Sequence, residues 1–171
     1  MNLPVATRDE VYAKFGITAE AAQLFETALG TLLLSAEALQ KGWNELPDYQ
    51  AATLLYKDIE KSTLGRLLRS AKSVIEFDDN LIDIFDSALK TRNRLSHGFY
   101  ERHNFRIQSD DGRDLMFADL EAMHTELFNA WQLADMLSSH LLKYFLELKA
   151  DPKASEKGPV ATIKFLTSEG P

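Results

Sequence analysis

Cysteine is missing from all 171 residues, so neither a disulfide framework nor a thiolate zinc site can form. Long apolar runs are missing too. The stretches TLLL from Thr31 and LLKYFLEL from Leu141 fall far short of the ~20 residues that a membrane span needs. The start, MNLPVATRDE, lacks the basic, apolar and small-residue succession of a secretory signal, so the cytoplasm is the expected location and no membrane partner is expected. Positive charge is in deficit: the formal net charge of -7 argues against a protein that coats nucleic acid by bulk electrostatics. There is no phosphate-cradling glycine loop with lysine, no nucleophile elbow and no paired catalytic carboxylate signature. EAMH (Glu121–His124) matches the Glu-x-x-His step of bundle di-metal proteins, but that site needs a second copy and the chain has none. His103, His124 and His140 lack a tight ligand spacing, so no metal and no cofactor is expected.

What the chain does have is helical pattern and enough apolar residues, 45%, for an ordinary core. Thr7, with Glu10 three residues on, predicts a helix start, and Gly16 predicts its stop. Thr18 is then expected to cap a second helix, with Ala21, Leu24, Ala28, Leu32, Ser35 and Leu39 on one stripe, ending before Gly42. Pro47 forbids a continuous helix through the following connection. One or two helices follow from about Tyr49 to Ile75, restarting at Ser62 or Thr63. The next begins at carboxylates near Asp79. Between Asn104 and Met116 the pattern lapses, and DDG reads as a turn, giving a short extended or hairpin insertion near 104–117. A last helix is expected from about Ala118 to Leu148, carrying Leu120, Met123, Leu127, Ala130, Ala134, Leu137, Leu141, Tyr144 and Leu148 on one stripe. The expected fold is all-α, an antiparallel helical bundle of four to six helices over 1–150. A flexible C-terminal tail covers 151–171, although Ile163, Phe165 and Leu166 could dock. Trp43 and Trp131 read as core or interface residues.

Two stretches are basic in an otherwise acidic chain. Lys61, Arg66, Arg69 and Lys72 fall in a run without acids, and Lys90, Arg92, Arg94, Arg102 and Arg106 face Glu101 alone. Within the second, Leu81, Phe85, Ala88, Leu95 and Phe99 cluster on one side of a wheel turned ~100° per residue. Arg92 fills the gap in that series. An unpaired buried guanidinium would cost several kcal/mol, so Arg92 must meet an acid, an anion, or a wet cavity or interface. A structural ion pair with Glu26, Glu37, Glu60 or Glu126 is one reading. Phosphate is another, because the arginine fork donates two hydrogen bonds at once. Asn93 and His97 share a face ~100–140° round from Arg92 on that wheel, with Ser96 and Tyr100 between, and histidine carries a mobile proton near neutral pH. Gly98 lets the chain bend or lets something approach closely.

Arg92-Asn93-x-x-x-His97 resembles the R-x4–6-H motif of HEPN domains, with a polar residue directly after the arginine. The resemblance covers the motif helix closely and otherwise extends to the order and length of helices over roughly residues 18 to 148. It implies a small all-α bundle, often dimeric, of the kind found in toxin–antitoxin and antiviral systems, where many members are metal-independent RNA endonucleases. It implies that Arg92, Asn93 and His97 are catalytic, with Arg94, Ser96 and Tyr100 binding substrate. RNA or a nucleotide, a second copy of the chain and an antitoxin protein are the implied partners. Non-catalytic family members that only bind nucleotides, dimerise or interact give the alternative reading. A subset of the family carries tyrosine two residues after the histidine, where a nucleotidyltransferase can modify it. Here that position is Phe99, and Tyr100 comes one place later, which argues against such control.

Overall fold

Thr7 and Glu10 satisfy one another at the first helix start: the Thr7 backbone N–H donates to Glu10 Oε2 at 2.7 Å, and the Glu10 N–H donates to Thr7 Oγ1 at 3.2 Å. These hydrogen bonds from the Thr7 backbone and side chain hold the Glu10 carboxyl below its ordinary pKa. The helix that follows, α1 (Arg8–Gln40), runs straight through Gly16, where a stop was expected. Thr18 is not a cap; its hydroxyl donates to the Lys14 carbonyl one turn back, at 2.7 Å, and its side chain is buried. A glycine in a helix interior weakens it by about 1 kcal/mol. Val11, Ala21, Ala22 and Phe25, all buried on either side of Gly16, supply more than that. The real stop is Gly42, at φ 68°, where the Trp43 N–H reaches the Ala38 carbonyl.

The computed structural model describes residues 5–151, 153 and 164–165 and is an all-α helical bundle. After α1 come α2 (Tyr49–Glu60), α3 (Leu64–Val74), a two-residue strand β1 (Ile75–Glu76), α4 (Asp79–His97), α5 (Phe99–His103), a 3₁₀ turn (Asn104–Gln108) and α6 (Asp110–Ala150). Thr63 caps α3, at one of the two expected restart positions. The expected hairpin near 104–117 is not there; the 3₁₀ turn and the first two turns of α6 occupy it. Ser109 is extended, and its hydroxyl accepts from the Gly112 N–H at 3.2 Å, as an N-cap does. Asp110 and Asp111 sit in the first turn of α6, where the helix dipole favours negative charge. DDG therefore opens a helix. Most of the tail expected over 151–171, including Ile163 and Leu166, lies outside the described residues; Lys164–Phe165 forms β2 and pairs antiparallel with β1.

The chain divides into two compact units. The first joins the chain up to Phe25 with Asp83–Trp131, and the second joins Glu26–Ile82 with the chain from Gln132 on. In the first unit, α4 runs antiparallel to α6, as the pairs Thr91–Glu126 and Arg94–Asp119 show. It is also antiparallel to α1, through Phe25–Phe85 and Phe15–Phe99. Yet α1 and α6 run the same way there, since Ala6 meets Asp114 and Lys14 meets Glu121. The first unit thus has the up-down-up course of an antiparallel bundle, in which the first and third helices must share a direction. In the second unit Leu29, Leu32, Leu64, Leu68 and Leu141 are buried. Trp43 is buried there too, with the Lys41 ammonium 5.4 Å from its ring.

Candidate functional site

The site is built on the last three turns of α4. Phe85, Ala88, Thr91 and Leu95 form its buried stripe, and Phe99 and His103 continue it at four-residue steps through α5. Thr91, not Arg92, takes the inward place between Ala88 and Leu95. The two residues straddle that gap on the wheel, and threonine is far cheaper to bury because one hydroxyl needs one partner. Glu126 supplies it, accepting from Thr91 Oγ1 at 2.6 Å and from the Ser87 hydroxyl as well. Arg92 lies half-buried at the edge of the stripe, and its Nη1 donates to Asn93 Oδ1 at 3.3 Å. Asn93, Ser96 and His97 are exposed.

The structure therefore brings Arg92 and Asn93 together and sets His97 one turn further on, outward. It does not place Arg94 or Tyr100 with them. Arg94 Nη1 holds both oxygens of Asp119, at 2.9 and 3.1 Å. Tyr100, beyond the bend at Gly98, packs its ring 5.3 Å from that of Phe15 on α1. Burial, helped by neighbouring Tyr12, raises the Tyr100 pKa.

One group that the sequence pattern did not single out lies beneath this surface. His103 is 3% exposed, and its Nε2 is 2.8 Å from Asp119 Oδ2. Its Nδ1 is 3.2 Å from Arg106 Nη1. A guanidinium can only donate, so Nδ1 must accept, and the proton of the neutral ring sits on Nε2 and points at Asp119. Burial is the largest single influence on Asp119 and acts to raise its pKa, but the hydrogen bonds from His103 and Arg94, with the charge of Arg94, together outweigh it and lower the pKa. Asp119 is thus a carboxylate at neutral pH, tying α4, α5 and the 3₁₀ turn to α6. The stripe itself was the available signal: 95, 99 and 103 are equally spaced, so the burial of His103 was legible, though not its partner.

Glu121 and His124 of the EAMH segment do not converge on a metal site. Glu121 pairs with Lys14 at 4.0 Å, and the His124 ring stacks on Phe128. Burial first, then the Lys14 charge, lower the His124 pKa. Among the described residues no group of three or more His, Asp or Glu could hold a metal, and no helix is long and apolar enough to cross a membrane. No protein-family model, curated protein or solved structure matches the chain.

Proposed function

We propose that this chain is a metal-independent RNA endonuclease of the HEPN type, acting at a cleft between two copies in which the Asp79–Tyr100 segments approach one another. The observation that carries the reading is the end of α4: Asn93 and His97 face solvent, and a half-buried arginine lies beside them. Arg92 grips the scissile phosphate and stabilises its developing charge. His97 moves protons: as base it takes one from a ribose 2′-hydroxyl, whose oxygen attacks phosphorus as the bond to the 5′-oxygen breaks, and the ring returns that proton, through water, to the departing 5′-oxygen. The products are a 2′,3′-cyclic phosphate and a 5′-hydroxyl. Asn93 orients Arg92, to which its amide oxygen already hydrogen-bonds. Exposed Lys90 and Arg102 extend the positive surface along the strand, and raised salt weakens binding by loss of counterion release. Arg94, held by Asp119, supports the helix end as well as adding charge.

A non-catalytic nucleotide-binding or interaction module is the second reading. The pairing of Arg92 with Asn93 and of Arg94 with Asp119 inside one chain favours it. The test is cleavage of single-stranded RNA in EDTA. Wild type should cut, Arg92→Ala should not, and His97→Ala should be slower by about 10²–10⁴-fold. Equal cleavage by all three identifies a contaminant. No cleavage by any of them, or only monomer in light scattering at tens of micromolar, leaves the module.

A further inference from the structure

The second unit carries a feature that the RNA-cleaving surface does not use. A cleft of about 310 Å³ opens between α1, α2 and the turn into α3. It is large enough for a small ligand. Helix α2 buries none of its residues completely, and it comes close to α1 at Gly30, where a Cβ would stand 2.9 Å from Ile59 Cγ2. Leu34, Ile59 and Leu67 give the cleft an apolar wall.

The polar lining is one-sided in its chemistry. The Thr31 hydroxyl donates its proton to the Thr27 carbonyl at 3.0 Å, and the Ser62 hydroxyl donates to the Asp58 carbonyl at 2.7 Å. The Tyr56 hydroxyl donates to Glu60, and that bond, with the carboxylate's charge, raises the Tyr56 pKa. With those three protons spent, the oxygens of Thr31, Ser62 and Tyr56 offer lone pairs outward. Glu26 and Glu60 add two carboxylates, and none of the lining residues is basic. Such a surface repels phosphate and leaves a neutral acceptor little beyond the Thr27 hydroxyl. Its complement has hydrogen-bond donors only, positive charge and an aliphatic body to lie on the leucines.

We infer that this cleft binds a linear aliphatic polyamine, its ammonium groups meeting Glu60, Glu26 and the hydroxyl oxygens, and its methylenes lying against Leu34, Ile59 and Leu67. The site is independent of RNA cleavage.

The test is calorimetric titration of the full chain with spermidine at constant ionic strength. One spermidine should bind per chain. Glu60→Gln, which keeps the shape and removes the charge, should weaken binding about tenfold or more, the worth of a charge-assisted hydrogen bond. Thr31→Leu, which removes an acceptor and fills space, should also weaken it, and thermal melts should show both variants folded. Asp83→Asn, an exposed carboxylate of the other unit, should bind as wild type does. Wild-type affinity in both cleft variants overturns the inference. So does an equal loss in Asp83→Asn, or complete displacement by magnesium at matched ionic strength, since either would reduce the effect to attraction by an acidic protein.

Discussion

Helices α2 and α4 begin alike and end in different circumstances. Asp48 accepts the Ala51 N–H at 2.9 Å, and Asp78 accepts the Leu81 N–H at 2.8 Å, so both starts are set by a capping aspartate. From there α4 buries Phe85, Ala88, Thr91 and Leu95, and its flanking polar groups reach Glu126 and Asp119 on α6. On α2 nothing is fully buried, and Tyr49 and Leu54 are 76% and 61% exposed. A cap decides where a helix starts; what packs on it decides how firmly it is held. The firm helix carries groups suited to chemistry, which needs fixed geometry. The loosely held helix borders the cleft to which we assign a ligand.

The contrast breaks most severely at the corner that supports α4. Gly112 lies in the first turn of α6, and a Cβ there would run into the Arg106 carbonyl oxygen and stand 2.7 Å from both its carbon and Ser109 Oγ. Neither backbone can retreat cheaply. Gly112→Ala should therefore lose about 2–4 kcal/mol in urea unfolding, by overpacking. Next in size is Asp119→Ala, which strips the partner from Arg94 and from buried His103 and should lose about 2–3 kcal/mol. The pH dependence has a defined sign. The Asp119 pKa is lowered on folding from an ordinary 3.8, so its contribution is present above that pH and is lost as pH falls through the lower folded value. The stability gap between wild type and Asp119→Asn should be widest near neutrality and close below about pH 3.8. Smaller still is a difference in local opening: amides within 49–60 should exchange with deuterium about tenfold faster than those within 85–97. Equal exchange would mean that α2 is held as firmly as α4.

Most helices were legible because their signals are local. The Thr7–Glu10 pair, the restart at Thr63, the end at Gly42 and the long stripe from Leu120 to Leu148 each depend on residues within a few turns. The misreadings share a different cause. Gly16 was expected to stop α1, and Leu24 to face inward where Phe25 does, because burial against distant segments is invisible in a short window. The DDG stretch has turn chemistry, but the same carboxylates also favour a helix start, and Ser109 just before them decided between the two. On α4, periodicity found the buried side and misassigned one of its inward residues by one place. Spacing could not choose between Thr91 and Arg92; Glu126, thirty-five residues away, did. The Arg94–Asp119–His103 cluster was out of reach for the same reason, as its members converge only when α6 packs on α4.

The smallest expected effect is at Gly98, and it sharpens the reading of α4 most directly. The chain bends there between α4 and α5, yet φ is −127°, a value open to any residue, and a Cβ would make an ordinary 3.5 Å contact with the Arg94 carbonyl oxygen. The backbone bonds on either side, Gly98 N–H to Arg94 and Arg102 N–H to Gly98, need no glycine. Alanine would restrict the unfolded chain and favour folding by about 0.4–1 kcal/mol, and the ordinary contact takes little of that back. Gly98→Ala should thus change stability by less than about 1 kcal/mol. That near-neutrality makes it a clean probe beside His97. If RNA cleavage falls in Gly98→Ala while the unfolding midpoint stays put, the bare backbone at 98 is where the strand comes close. If cleavage is also unchanged, the glycine serves neither fold nor substrate, and on the proposed reading the strand lies along the Arg92–Asn93 side of the helix.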